Sequence, residues 1–246
     1  MTAPAGERLY LVTGASSGIG KGIALRLCGL GARVVAIGRD ADRLGELAQE
    51  CGCPERIHPE IRDLAADIEL LPQYVKGLKE KYGKFHGMVS CAGISEIRPL
   101  QILKYENGKR IFDINYFAPL MLAKGLLDRR HNVGRGTSLV FIASIAAHLA
   151  DKGMSFYAGS KAALIASVRS ISREVAASGV RVNAISPGDI LTPMTAAVEG
   201  MRNDRSHLYP LGFGTVDDVA ALAVFLLSDE AKWITGQNYI LDGGHL

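Results

Sequence analysis

Tyr157 and Lys161 are the side chains of this sequence whose types and spacing most directly indicate chemistry. They lie four residues apart in the run Phe156–Ala163, so on a helix they share one face. An ammonium beside a phenol favours the phenolate, and we therefore predict that the pKa of Tyr157 falls from its ordinary value toward neutral pH. Such a phenol can exchange a proton with the oxygen of a carbonyl or an alcohol. Ser144, thirteen residues before the tyrosine, can hydrogen-bond the same oxygen.

A glycine-rich turn near the N-terminus indicates a nucleotide site. The apolar run Leu9–Thr13 predicts a buried strand, and the turn Gly14–Gly20 and an apolar helical pattern follow it at once. Glycines in such a turn let backbone N–H groups approach a pyrophosphate, whose charge then faces the helix N-terminus. The spacing is G-x-x-x-G-x-G and differs from the general dinucleotide pattern G-x-G-x-x-G. Ordinary turns also use glycine, but the position between a strand and a helix favours nucleotide binding.

The joint order of several short motifs resembles that of the short-chain dehydrogenase/reductase family, in its ordinary single-domain form and with similarity to the 3-oxoacyl-[acyl-carrier-protein] reductases. The matching pieces are Thr13–Gly20, Cys91–Gly93, Asn115, Ser144, Tyr157, Lys161, Pro187–Gly188, Thr235–Gln237 and Asp242–Gly244. The resemblance implies a Rossmann fold, a nicotinamide cofactor and a catalytic set of four residues. In that set Ser144 steadies the developing negative charge and Tyr157 transfers the proton. Lys161 supports the tyrosine and bonds the nicotinamide ribose, and Asn115 holds a water that extends a proton relay.

The resemblance also implies which residues contact the cofactor. They are Gly14, Ser16, Ser17, Gly18, Ile19, Gly20, Arg39, Asp63, Leu64, Cys91, Ala92, Gly93, Tyr157, Lys161, Pro187, Gly188, Ile190 and Thr192. Asp63 and Leu64 correspond to the pair that holds the adenine, although Asp63 is also a candidate helix cap. Cys91 stands where the family has asparagine. A thiol is a poorer hydrogen-bond donor than an amide, so we expect a less rigid turn there.

Arg39 indicates which nicotinamide cofactor is bound. NAD sites usually place a carboxylate about 20 residues after the glycine loop, where it bonds the ribose 2′-hydroxyl. In this sequence the second strand is followed by Gly38, Arg39 and Asp40. A guanidinium favours the 2′-phosphate of NADP through charge-assisted hydrogen bonds. Asp40 complicates this interpretation unless it turns outward or begins the next helix, where acidic residues are stabilised. We predict NADP(H) in preference to NAD(H).

Strand and helix patterns alternate along the chain and predict an α/β Rossmann fold: a doubly wound, seven-stranded parallel sheet with helices on both faces. The predicted strands are Leu9–Thr13, Arg33–Ile37, Arg56–Ile61, Gly87–Cys91, Leu139–Ala143, Arg181–Ile185 and Asn238–Leu241. The predicted helices cover 18–30, 41–50, 67–82, 107–130, 156–178 and 216–228. We interpret 1–246 as a single dinucleotide-binding domain. An irregular excursion at about 188–212 is predicted to close over the substrate.

Composition argues against several other classes of protein. The net charge of +3 is spread along 246 residues without a basic block, so we expect no nucleic-acid partner. The longest apolar run, Val219–Leu227, has nine residues and is too short to cross a bilayer. Met1–Glu7 lacks the features of a signal peptide, and a cytoplasmic location is expected. The cysteines are interpreted as reduced thiols because Cys51 and Cys53 have no second Cys/His pair at metal-binding spacing.

The favoured function is the NADPH-dependent reduction of a ketone to a secondary alcohol, with a 3-oxoacyl thioester or similar carbonyl metabolite as substrate. The motif Ile234–Gln237 is shared with 3-oxoacyl reductases but also more widely, and Ile94–Arg98 departs from the typical fatty-acid enzyme pattern. A sugar, polyol or other secondary-alcohol dehydrogenase therefore remains an alternative. A non-catalytic NADP-binding regulator is another, against which the intact catalytic set argues. His148 is expected near the substrate mouth, and the resemblance implies a homo-oligomer, a tetramer or a dimer.

Overall fold

The computed structural model describes residues 8–192 and 205–246. Within them, seven parallel strands form one sheet in the order β3-β2-β1-β4-β5-β6-β7. The strands are β1 (Leu9–Thr13), β2 (Arg33–Gly38), β3 (Ile57–Ile61), β4 (Gly87–Ser90), β5 (Ser138–Ile142), β6 (Arg181–Pro187) and β7 (Asn238–Leu241). The strand order reverses between β1 and β4, which is where doubly wound sheets open a ligand crevice. The predicted fold class is confirmed.

Helices cover both faces of the sheet. They are α1 (Gly18–Gly29), α2 (Ala41–Glu50), α3 (Leu71–Tyr82), α4 (Tyr105–Phe112), α5 (Ala118–Leu127), α6 (Ser155–Val175) and α7 (Val216–Leu227). One core joins the sheet to α1, α2 and α7 through buried residues such as Leu27 and Val219. The other joins it to α3, α5 and α6 through residues such as Leu122 and Leu164. Because both faces are covered, the residues of β1, β5 and β6 are buried at every position.

The predicted helical stretch 107–130 contains a π turn and ends at Leu127. α4 ends at Phe112, a π-helical turn covers Asp113–Phe117, and α5 begins at Ala118. Pro119 gives the physical reason, because a proline has no N–H to donate to the carbonyl of Asn115, four residues earlier. Isolated π turns are rare in helices and are frequent at functional sites. This one carries Asn115, a predicted catalytic residue.

Smaller differences concern the ends of helices. The predicted helix 67–82 begins with a separate 3₁₀ turn at Ile68–Leu70, and the predicted helix 156–178 ends in a 3₁₀ turn at Ala176–Ser178. Of the predicted excursion at 188–212, residues 193–204 lie outside the described residues. In the described part of the chain, no helix is both long enough and apolar enough to span a membrane.

Candidate active site

A cavity of about 450 Å³ opens at the carboxyl end of the sheet, around the point where the strand order reverses. The predicted site residues that line it are Gly14, Ser16, Ser17, Gly18, Ile19, Arg39, Asp63, Leu64, Cys91, Ala92, Gly93, Ser144, Tyr157, Lys161, Pro187, Gly188, Ile190 and Thr192. Gly20 and Asn115 do not line the cavity and lie behind its wall. Sequence reasoning missed Arg62 and Arg110, which also line it. The available signal for Arg62 was its position directly after a predicted strand, like that of Arg39.

The glycine turn brings the start of α1 to this cavity. Gly14 has a positive φ of 66°, and a β-carbon added there would lie 2.9 Å from the backbone nitrogen of Ala92. Ser17 precedes α1 in an extended conformation, and its side chain makes no capping hydrogen bond. The first turn of α1 also contains no acidic residue. The N–H groups at this helix end therefore have no side-chain cap and can receive an anion.

Gly20→Ala is expected to destroy this turn. An added β-carbon would lie 2.3 Å from the carbonyl oxygen of Gly14, so the backbone must shift to relieve the contact. We expect at least about tenfold weaker dinucleotide binding and a loss of roughly 1–3 kcal/mol in the free energy of unfolding. Calorimetric titration and urea denaturation measure both. Gly29→Ala is the matched control, because a β-carbon at Gly29, in the same helix, meets no atom within 4 Å. Equal behaviour of the two variants would contradict the close-approach argument.

The turn that contains Cys91 is held by a residue of β1. The hydroxyl oxygen of Thr13 accepts hydrogen bonds from the backbone nitrogens of Cys91 and Ala92, each at 3.0 Å. Burial raises the pKa of the Cys91 thiol to about 12, although the nearby Lys161 charge opposes this rise. Cys91 is therefore a neutral thiol in the cavity wall. Its side chain takes the place of the family's asparagine, while Thr13 fixes the backbone of the turn.

Tyr157 and Lys161 lie on α6 with both side chains turned to the cavity. The lysine is 5% exposed, its Nζ donates to the carbonyl oxygen of Ile142 at 2.8 Å, and it lies 5.9 Å from the centre of the Tyr157 ring. The prediction of a lowered Tyr157 pKa is wrong for this arrangement. Burial raises the pKa of Tyr157, and only the hydrogen bond with Ser144 lowers it. Burial also lowers the pKa of Lys161 to about 8.

Ser144 lies two residues beyond the end of β5 and begins a 3₁₀ turn, Ile145–Ala147. Its Oγ accepts a hydrogen bond from the backbone nitrogen of Ala146 at 3.1 Å. A hydroxyl that accepts one bond still has its own proton to donate. Ser144 is therefore held in place by this turn, and its hydroxyl can still donate a hydrogen bond beside Tyr157. This is the geometry needed to bind an oxygen on which negative charge develops.

Asn115 is fully buried and connects the π turn to α6. Its Oδ1 accepts from the backbone nitrogen of Ile94 at 2.9 Å, and its Nδ2 donates to Ile94 O at 3.0 Å and to Ser160 Oγ at 3.1 Å. The Ser160 hydroxyl in turn donates to the carbonyl oxygen of Tyr157 at 2.7 Å. A β-carbon on Gly93 would lie 3.1 Å from Asn115 Oδ1 and 3.4 Å from Lys161 Nζ. Asn115 thus reaches both helix α6 and the neighbourhood of Lys161, and its water-holding role stays a prediction.

The adenosine end of the cavity is formed by the ends of β2 and β3. Arg39 is exposed there. Asp40 caps α2: its Oδ1 accepts from the Arg43 backbone nitrogen at 3.1 Å, and its Oδ2 lies 3.2 Å from Arg43 Nε. The carboxylate that complicated the cofactor assignment is therefore engaged by the next helix. Asp63 Oδ1 accepts from the backbone nitrogen of Ala65 at 3.0 Å, so this residue has a local turn-capping role while it lines the cavity.

Ion pairs and a backbone hydrogen bond connect several segments of the chain near Asp189, whose neighbours Gly188 and Ile190 line the cavity. Arg205 pairs with Asp151, and its Nε lies 3.5 Å from Asp189 Oδ2. The backbone nitrogen of Arg98 donates to Gly153 O at 2.9 Å. The chain segments around residues 98, 151, 189 and 205 are thereby joined at one side of the cavity.

His148 does not belong to this cavity. Its Nε2 lies 3.0 Å from Asn238 Nδ2 and 3.4 Å from Ser186 Oγ, so the ring contacts β7 and β6 and does not line the cavity. The expectation that it faces the substrate mouth is not met, because the turn after Ser144 directs it to the sheet edge. Among residues 8–192 and 205–246, no group of three or more His, Cys, Asp or Glu side chains is placed to hold a metal ion.

Comparison with known proteins agrees with this geometry. The sequence model of a family described as enoyl-(acyl carrier protein) reductase matches residues 14–245. The chain is 32% identical to the 3-oxoacyl-[acyl-carrier-protein] reductase FabG of Thermotoga maritima over 244 residues, which cover 96% of this chain and 97% of that protein. It is 30% identical to the galactitol 2-dehydrogenase of Agrobacterium fabrum over 253 residues, 97% of each chain.

A solved structure gives the same result for the fold. A short-chain dehydrogenase from Burkholderia cenocepacia J2315, crystallised in complex with NADP, superposes with a TM-score of 0.91 at 31% identity and with 99% coverage of both chains. The family-model match spans most of the sequence, and the relatives align over nearly their whole length. The chain therefore belongs to the short-chain dehydrogenase/reductase family of oxidoreductases.

Proposed function

We propose that this enzyme is an NADPH-dependent reductase that converts a ketone into a secondary alcohol. One observation carries the proposal: Ser144, Tyr157 and Lys161 converge on the same cavity whose other end presents Arg39. A proton donor and a dinucleotide site with a cationic adenosine end are the two parts that such a reaction requires. A purely regulatory NADP-binding protein would leave the buried Asn115–Ser160–Tyr157 connection without a use.

The described residues fit a nicotinamide dinucleotide. The N-terminus of α1, whose N–H groups have no side-chain cap, suits a pyrophosphate. Arg39 suits a 2′-phosphate, and Asp40 does not compete for that position because it caps α2. The Burkholderia cenocepacia relative was crystallised in complex with NADP, which supports the same choice. When bound, NADPH supplies the hydride to the carbonyl carbon of the substrate.

The protein's own side chains bind and protonate the carbonyl oxygen of the substrate. Ser144 donates a hydrogen bond to it and stabilises the charge that develops there. Because burial raises its pKa, Tyr157 is a neutral phenol at neutral pH and is ready to donate its proton. The resulting phenolate is stabilised by Lys161, which keeps its proton below pH 8 because its pKa is about 8. The pair thus favours the reduction direction at neutral pH.

The substrate class that we favour is a 3-oxoacyl thioester. Three large apolar side chains are exposed on or next to the joined segments around residues 98, 151 and 189: Ile97 (54%), Leu149 (48%) and Leu191 (46%). An acyl chain that covers them gains the free energy of removing apolar surface from water, whereas a hydroxyl-rich chain does not. FabG of Thermotoga maritima, a 3-oxoacyl-[acyl-carrier-protein] reductase, is among the relatives. A polyol dehydrogenase remains the second candidate, because the galactitol 2-dehydrogenase matches over a similar length.

NADPH oxidation across a panel of ketones tests the proposal. The panel contains 3-oxoacyl thioesters of increasing chain length, ketoses and cyclic ketones, each assayed also with NADH. We expect the 3-oxoacyl thioesters to be the best substrates, with kcat/KM rising with chain length and at least about tenfold higher for NADPH than for NADH. Preference for NADH would contradict the assignment of Arg39. Activity confined to ketoses would select the polyol candidate, and a complete lack of turnover would favour the regulator.

A further inference from the structure

Two arginines leave neighbouring strands side by side at the adenosine end of the cavity. Gly38 of β2 pairs with Ile61 of β3, so the next residues, Arg39 and Arg62, follow adjacent strand ends. The backbone nitrogen of Arg62 donates to Gly38 O at 2.8 Å and fixes this register. Neighbouring strands lie about 4.8 Å apart, which brings the origins of the two side chains close together. Both side chains line the cavity.

Arg62 is held in place but its hydrogen-bonding capacity is not used. Its guanidinium carbon lies 5.0 Å from the centre of the Tyr74 ring, a stacked cation–π contact. Its Nε is buried and has no hydrogen-bond partner in the structure. A buried polar N–H without a partner is costly, so such a group is expected to have a partner in the functional state.

The charge around the two arginines points to the kind of partner. Within residues 8–192 and 205–246, neither Arg39 nor Arg62 forms an ion pair with a carboxylate. The two nearest candidates in sequence are engaged elsewhere, Asp40 by Arg43 and Asp63 by the backbone of Ala65. Two neighbouring guanidinium groups that form no direct ion pair can together bind a doubly charged anion.

We propose that Arg62 is a second specificity residue, which together with Arg39 grips a phosphomonoester, the 2′-phosphate of NADP. This inference rests on the proposed function for the identity of the ligand. A phosphomonoester carries about −1.5 to −2 charges at pH 7 and three acceptor oxygens, which match two planar guanidinium groups. Ser16 packs against Gly38 at this end of the cavity, since a β-carbon on Gly38 would lie 3.3 Å from Ser16 Oγ, and its hydroxyl adds a further donor.

Nucleotide fragments test the inference without requiring any catalytic activity. Adenosine 2′,5′-bisphosphate and 5′-AMP differ only in the 2′-phosphate, and calorimetric titration gives the dissociation constant of each. We expect Arg62→Gln to weaken binding of the bisphosphate about tenfold and to change that of 5′-AMP little. Arg62→Lys, which keeps the charge without the planar fork, should fall between Arg62→Gln and the wild type. Arg169→Gln, an exposed arginine on α6 outside this cavity, is the matched control and should change neither constant.

The outcomes separate this inference from the proposed function. If Arg62→Gln weakens both ligands equally, the side chain contacts the adenine and the inference is overturned. If the wild type prefers the bisphosphate and Arg62→Gln keeps that preference, Arg39 acts alone, and the inference again fails while the proposed function stands. If the wild type shows no preference for the bisphosphate, both the NADP assignment and the inference fail. Should Arg62→Gln not fold, the same pair of ligands measured on Arg62→Lys decides between these outcomes.

Discussion

Tyr157→Phe is expected to fold, to bind NADPH as tightly as the wild type and to lose nearly all turnover. The substitution removes only the hydroxyl, which is the proton donor of the proposed reaction. General acid catalysis by a positioned side chain contributes about 10²–10⁴-fold to a rate, so we expect kcat to fall by about that factor or more. The phenyl ring keeps its place on α6, and the substitution removes only one hydroxyl from the cavity wall, so we expect the fold to be retained. Steady-state kinetics and NADPH fluorescence titration measure kcat and binding separately.

Tyr82→Phe is the control for this experiment. The hydroxyl of Tyr82 also makes a hydrogen bond, which it donates to Glu60 Oε1 at 2.7 Å, but Tyr82 does not line the cavity. We expect unchanged turnover from that variant. Substantial activity in Tyr157→Phe would contradict the assignment of Tyr157, whatever the fold of the protein. A parallel loss of NADPH binding would indicate instead that the phenol mainly positions the dinucleotide.

The fold could be predicted from the sequence because each buried parallel strand is a continuous apolar run. Such runs, separated by amphipathic helices and turns, leave few other architectures available. The π turn at Asp113–Phe117 was not predicted, although its signal, Pro119, stands in the sequence. The apolar pattern of a helix is not interrupted at a residue that lacks an N–H. A prediction from that pattern therefore misses the π turn, which is found only when each backbone N–H and carbonyl group is assigned a hydrogen-bond partner.

The parts of the candidate site that depend on local residue spacing could be predicted from the sequence. The parts that depend on tertiary structure could not. Four-residue spacing correctly places Tyr157 and Lys161 on one face of α6. It cannot give the burial that raises the Tyr157 pKa or the hydrogen bond that draws Lys161 Nζ to Ile142 O. Arg62 was missed for a similar reason: its adjacency to Arg39 depends on the register of β2 with β3, which no local pattern contains.

Lys161→Met is expected to remove turnover and to change how the stability of the protein depends on pH. Loss of the ammonium leaves the Tyr157 phenolate without its stabilising charge, so we expect kcat to fall about 10²-fold or more. Burial lowers the pKa of Lys161 from 10.5 in the unfolded chain to about 8 in the folded protein. Methionine has a similar length and carries no charge to desolvate. The enzyme therefore keeps a lysine whose charge its fold disfavours, and function gives the reason.

The sign of the pH effect follows from proton binding. Between pH 8 and 10.5 the unfolded wild-type chain binds more protons at this lysine than the folded protein does. The free energy of unfolding contributed by Lys161 therefore rises with pH across that window, and below it the full penalty of the buried charge remains. Lys161→Met lacks this rise. Relative to the wild type, the variant should be more stable at pH 7 than at pH 10.5, by up to about 3 kcal/mol at 1.36 kcal/mol for each pKa unit.

Urea denaturation of both proteins at pH 7 and at pH 10.5 measures the effect. Groups distant from Lys161 that titrate in the same window are common to both proteins and cancel in the difference. Lys124→Met, which removes an exposed lysine on α5, controls for the loss of a surface charge. Loss of the hydrogen bond to Ile142 O lowers the stability of the variant by about the same amount at both pH values. It therefore changes the stability difference between the two proteins without changing how that difference depends on pH. A difference that stays constant between the two pH values would show that burial does not depress the pKa of Lys161.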